Sequence, residues 1–145
     1  MYVLNIMIKK NIIKNAPKSV GNYPHSIEIN GMLHLSGIGP RSPIDNSIAG
    51  NQYDEKENLV SYDIEQQTHA VFDNIKIILE ESNSSWGNLI DITVFLTDMK
   101  NDFKKFNDIY NLYFPDGHAC RTTIEVNALP TDIAIELKCI AIINK

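Results

Sequence analysis

The sequence predicts a single α/β domain. Two segments carry the 3.6-residue period of amphipathic helices, and several others alternate apolar with polar residues as half-buried strands do. At 145 residues, 43% hydrophobic and 21% charged, the chain is long enough for one real core and ordinary for a globular protein.

The N-terminal stretch MYVLNIMIKKNIIKN has no basic start before its apolar part and no small-residue cleavage site, so it does not read as a signal peptide. Within the domain, 1–145, residues 1–7 read as an N-terminal extension with Met7 an alternative start, and the expected location is the cytoplasm. Ser26 to Leu35 reads as a hairpin, because alternating apolar residues flank Asn30-Gly31, a pair that tolerates the positive φ of a type I′ turn. Gly37 to Glu57 is rich in Gly, Pro, Ser, Asn and Asp and reads as a long loop. A helix is expected from Tyr62 to Glu81, with Ile64, Thr68, Val71, Phe72, Ile75 and Leu79 on one face, ended by SNSSWG. Leu89 to Leu96 is a strand with Ile90, Ile92, Val94 and Leu96 on one side. A second helix, Asp102 to Phe114, carries Phe103, Phe106, Ile109, Tyr110 and Tyr113 and stops at Pro115 and Gly117. A strand opened by Arg121, a turn at Leu129–Asp132 and a strand from Ile133 to about Ile143 complete the chain.

The last strand is informative about assembly. Ile133, Ile135, Leu137, Cys139, Ala141 and Ile143 form one apolar face, suited to a core under helices. The other face, Ala134, Glu136, Lys138, Ile140 and Ile142, is half apolar and half charged, which suits cover by a second subunit better than water.

Charge and motifs exclude several functions. The net charge of −5 argues against a nucleic-acid binder that works by broad phosphate neutralisation. Nothing approaches the ~20 apolar residues of a membrane span. Two cysteines, Cys120 and Cys139, make neither a disulfide framework nor a metal set, and His25, His34, His69 and His118 have no ligand spacing. No nucleophile elbow, HExxH, CxxC or P-loop is present. Cys120 is expected to point into the core, opposite to Arg121.

Arg121, Thr123 and Glu125 share one face of their strand, and Glu136 lies on the next strand across a short turn. A guanidinium keeps its charge and is costly to bury unpaired. Two readings stand at this point. Arg121 and Glu136 form an ion pair that supports an interface, or Arg121 grips a carboxylate in a two-pronged hydrogen bond while Glu136 handles water or a proton.

The element order, together with VGNYPH (Val20 to His25), LSG (Leu35 to Gly37), FNDIYNLYF (Phe106 to Phe114), RTTIEVNALP (Arg121 to Pro130) and IELKCIAI (Ile135 to Ile142), resembles the RidA/YjgF family over nearly the whole chain from about Lys10. The resemblance implies a chorismate-mutase-like fold, a mixed sheet with two helices packed on one face, assembled as a homotrimer with sites between subunits. It also implies hydrolysis of enamines and imines of 2-oxo acids, with release of ammonia and no metal or cofactor. By position, Arg121 matches the carboxylate-binding arginine and Glu136 the acid associated with the catalytic water. Tyr23, Ser36, Gly37 and Asn107 match pocket positions, and Thr123 stands where many members have cysteine. Ile38 and Lys138 replace a glutamine and a glutamate common in the family. The segments GNYPH, GIGPRSP and DNSIAG, followed by DIEQQTHAVFDNI, resemble the 2-aminomuconate deaminase branch. That substrate has two carboxylates, and Arg41 and His25 are the expected donors to the second. A general 2-iminobutanoate/2-iminopropanoate deaminase, a ligand-binding trimer without turnover and a ribonuclease are the competing expectations; the acidic charge disfavours the last.

Overall fold

The computed structural model describes residues 6–145, so most of the expected 1–7 extension lies outside the described residues. The elements run β1 (Ile8–Asn11), β2 (Ser26–Ile29), β3 (Met32–Leu35), β4 (Gln52–Tyr53), β5 (Leu59–Ser61), α1 (Ile64–Glu81), β6 (Leu89–Leu96), α2 (Met99–Tyr113), β7 (Cys120–Glu125) and β8 (Ile135–Ile142). Six strands form a mixed sheet in the order β1-β2-β3-β8-β6-β7, with β6–β7 its parallel pair. Both helices pack on one face, α1 against β8 and α2 against β6.

Local chemistry sets most boundaries. Asn30 and Gly31 have φ of 50° and 78°, the backbone that the β2–β3 turn requires and that this pair adopts at little cost. The Asp63 carboxylate caps α1 by accepting from the N–H groups of Glu65 (2.9 Å) and Gln66 (3.2 Å). All six residues assigned to the apolar face of α1 are buried. α2 begins three residues before the expected Asp102, because Asp98 accepts from the Asn101 N–H at 3.0 Å and caps the helix there. Phe103 is not part of the core; it is 37% exposed. A register shift between Leu89 and Asp91 gives Leu89, not Ile90, the buried position at the start of β6. The long loop is real but tied down. Ile38 pairs with Leu137, Arg41 with Ile48, and β4–β5 make a small hairpin inside and just after it.

The face without helices is mixed: Ile124, Ile140, Ile142, Met32 and Phe95 stand on it among Asp91, Glu136 and Lys138. Register places His34 between Ile27 and Ile140, Met32 beside Ile142, and Phe95 between Ile124 and Glu136. Ile124 is 42% and Ile142 47% exposed. Ala134 does not belong to this face as expected. It is buried, and its N–H donates to Gln67 Oε1 at 2.8 Å. Cys120 corrects a second expectation: it is exposed on the open face, because Arg121 takes the helix-ward side of this edge strand. Among the described residues no helix is long and apolar enough to cross a membrane.

Candidate functional site: two half-sites on opposite faces

Glu136 stands on the open face of β8 and borders a cleft of about 370 Å³ with Tyr23, Ser36, Gly37 and Arg41. Gly37 follows the end of β3 and lies directly against this carboxylate. A Cβ on Gly37 would come within 2.9 Å of Glu136 Cδ, so only a bare backbone lets the side chain rest there. Burial without a cation raises the Glu136 pKa above the usual carboxylate range. Ser36 donates its hydroxyl to the Pro24 carbonyl (2.7 Å) and its N–H to the His25 carbonyl (2.9 Å). It therefore fixes the Pro24–His25 turn, and its oxygen keeps acceptor capacity toward the cleft. Tyr23, 43% exposed, forms part of the rim.

The two expected donors to a second carboxylate part company here. Arg41 lines the cleft with its guanidinium anchored on the Lys18 carbonyl and on Asn46 Oδ1 (3.2 Å), bonds that use part of its five N–H groups. His25 is buried, and both ring nitrogens are engaged. Nδ1 accepts from the Ile13 N–H at 2.9 Å, which leaves Nε2 to carry the proton and donate to the Pro17 carbonyl at 2.8 Å. His25 thus staples the N-terminal arm to the sheet and has no donor left for a ligand.

The second half-site lies under α2. Arg121 projects from β7 toward the helix, its guanidinium carbon 4.4 Å from the Tyr110 ring centroid, 5.7 Å from Phe106 and 5.9 Å from Phe103. Three aromatic rings orient the cation without using its N–H groups, and it makes no ion pair among the described residues. Asn107 occupies the same stripe of α2, by the i, i+3, i+4, i+7 spacing of Phe103, Phe106, Asn107 and Tyr110. Thr123 follows Arg121 on the same side of β7, and its buried hydroxyl has no hydrogen-bond partner. The aromatic platform was not legible as a site, since an apolar helical stripe reads as core.

The two halves do not meet within one chain. Ile92 is opposite both Arg121 and Cys139, so Arg121 lies on the helix face; Phe95 is opposite both Glu136 and Ile124, so Glu136 lies on the open face. β6 also runs between β7 and β8. The expected adjacency of Arg121 and Glu136, and the ion pair built on it, are therefore absent from the chain. A larger cavity of about 590 Å³ opens beside Tyr62, Asp63, Glu65, Asp102 and Lys105; Asp63 is engaged in capping α1 and Asp102 in accepting from Tyr62 Oη at 2.8 Å. Cys139 is no nucleophile, since burial pushes its thiol up to about 12.

The family model described as Endoribonuclease L-PSP matches residues 13–143. A RutC family protein of Pyrococcus abyssi is 36% identical over 128 residues, 88% of this chain and 91% of that protein. The chloroplastic Reactive Intermediate Deaminase A of Arabidopsis thaliana is 34% identical over 136 residues, 92% of this chain and 66% of that protein. Among solved structures, Escherichia coli TdcF with bound serine superposes with a TM-score of 0.78 at 28% identity, covering 94% of this chain and 99% of that one. The span of the family model, the identity to the relatives and the superposition agree: this chain belongs to the RidA/YjgF/RutC family.

Proposed function

We propose that this protein is a cytoplasmic deaminase that hydrolyses the imine and enamine forms of 2-amino acids to 2-oxo acids and ammonia, acting as a homotrimer with each site shared by two copies. One observation carries the reading. A preoriented guanidinium with its hydrogen-bonding edge unused and a desolvated carboxylate beside a bare glycine lie on opposite faces of one sheet. Each is half of a hydrolytic site, and a second copy packed on the open face, over the exposed Ile124 and Ile142, supplies the other half. The Arabidopsis relative's name, a reactive intermediate deaminase, supports the reaction class.

Arg121 holds the substrate carboxylate in a two-pronged grip. The enamine tautomerises to the imine, whose C=N carbon is then open to water. Glu136 orients that water and accepts its proton as the C–O bond forms. With a pKa raised by burial, it holds that proton long enough to return it to the nitrogen. Glu136 then takes the hydroxyl proton of the resulting carbinolamine and passes it to the same nitrogen, so that the C–N bond breaks, the carbonyl forms and ammonia leaves. Holding the carboxylate and one water supplies several kcal/mol by orientation alone, and neither a metal nor a covalent nucleophile is required. The favoured substrate is 2-aminomuconate, with the remaining N–H groups of Arg41 taking its distal carboxylate across the cleft.

Ammonia release from 2-iminopropanoate, 2-iminobutanoate and 2-aminomuconate, generated in situ, tests the proposal. Preference for the dicarboxylate supports the full reading. Preference for the small imino acids makes this a general imine deaminase. Binding without turnover supports the second reading, a ligand-binding trimer, which the serine held by the TdcF relative favours. Sedimentation at micromolar concentration reads the trimer; a stable monomer refutes the shared site.

A further inference from the structure

We infer that Thr131 is a specificity-determining residue of this site, placed on the cleft wall by a buried amide relay and contacting the substrate chain beyond the imine carbon. The inference rests on the hydrolytic reading above but starts from an independent observation. Thr131 has φ of 65°, a left-handed backbone that a β-branched residue strongly disfavours. Such strain persists only where the surroundings over-determine it. Here they do. Pro130 fixes the chain on one side. On the other, fully buried Gln67 accepts from the Ala134 N–H (2.8 Å) and donates to Asn51 Oδ1 (2.8 Å), and Asn51 donates to the Asp132 carbonyl (2.8 Å). The relay thus grips the 132–133 and 133–134 peptides, one residue beyond the strained one, and ties them to α1.

Glycine or asparagine would satisfy the same backbone with little strain. What threonine adds is a hydroxyl and a methyl group on the wall that borders Glu136, Tyr23 and Arg41. Arg121 holds the carboxylate end of the substrate from the other half-site and Glu136 marks the reacting carbon. The wall beyond Glu136 therefore faces the substrate chain, and the side chain of Thr131 reads its length. The relay residues Gln67 and Asn51 act through Thr131 and are positioning residues.

The test compares kcat/KM on 2-iminobutanoate and 2-iminopropanoate with thermal unfolding of the same samples. Thr131→Gly should leave Tm unchanged or raise it, since the strain is relieved. It should lower kcat/KM on the four-carbon substrate by on the order of tenfold, the scale of one lost contact in a pocket, with a smaller effect on the three-carbon one. Asn51→Asp keeps the acceptor for Gln67 but loses the donor to Asp132. It should shift the same selectivity, and the double variant should be no worse than Thr131→Gly alone, because both act on one wall. Wild-type selectivity in Thr131→Gly overturns the assignment. Additive losses in the double variant overturn the relay. A wild type that releases no ammonia and does not bind 2-oxobutanoate overturns the hydrolytic reading, and this inference with it.

Discussion

The proposed function gives Arg121 two separable roles, and one pair of substitutions divides them. Its guanidinium lies over Tyr110, Phe106 and Phe103, with the nearest centroid at 4.4 Å. A cation over aromatic rings at a half-buried site is worth about 1 kcal/mol. Arg121→Ala should therefore cost about that much stability, a Tm fall of roughly 3 °C for a domain of this size. The proposed catalytic role is larger. A hydrogen bond to a charged group contributes about 1.5–3 kcal/mol, so losing the grip on the carboxylate should lower kcat/KM by roughly 10- to 150-fold, and further where the substrate carboxylate is left unpaired in a desolvated site. Arg121→Lys keeps a cation over the rings and loses the planar fork. It should unfold near the wild-type temperature yet recover little activity. Ammonia release and thermal scans on the three proteins give both readouts. Near-wild-type turnover in Arg121→Lys would refute the two-pronged grip, and equal Tm for wild type and Arg121→Ala would refute the platform.

Gly37→Ala places a methyl group against the Glu136 carboxyl, with no positive φ to complicate the backbone. Ammonia release should show kcat reduced about tenfold or more by the displaced carboxylate, while Tm changes little. Ile140→Asp puts a second carboxylate on the open face, where Ile140 lies between His34 and Asp91. Sedimentation should show the trimer dissociating and activity falling with it. Asp102 is buried with the Tyr62 hydroxyl as its hydrogen-bond partner, and burial raises its pKa. The folded state therefore holds this proton more tightly than the unfolded chain. Its stabilising effect is present at low pH and is lost as pH rises from the unfolded carboxyl range through the folded pKa. Asp102→Asn keeps an acceptor for Tyr62 and removes the buried charge. Denaturant unfolding should show the variant gaining on the wild type as pH rises above the ordinary carboxyl range; a difference that does not change with pH would sink the argument.

The parts of the fold legible in the sequence were those coded locally. Asn30-Gly31 fixes a turn type by itself, the period of α1 names its buried face, and the alternation of β8 separates core from open face. The sequence offers candidate site residues as a list but not as an arrangement. The short turn at Leu129–Asp132 suggests that β7 and β8 are neighbours, yet the chain crosses β6 before it pairs again. Which face Arg121 takes depends on register through Ile92, and no spacing within β7 reveals that. His25 looked like a pocket residue because it lies two positions from Tyr23. Its partners at Ile13 and Pro17 belong to an arm whose return to the sheet has no periodic signature. The platform under Arg121 and the strain at Thr131 were hidden for the same reason: both come from long-range packing.

The placement of Arg121 and Glu136 on opposite sheet faces has a genetic consequence. On the proposed assembly, a chain lacking Arg121 and a chain lacking Glu136 are each inactive alone, but they are not defective in the same place. Mixed trimers contain sites where the arginine of one copy meets the glutamate of the other, and random assembly of equal amounts makes about one quarter of the sites intact. Two alleles that each abolish function can therefore restore it together, so a null phenotype in this protein is a property of the pairing of chains rather than of either one.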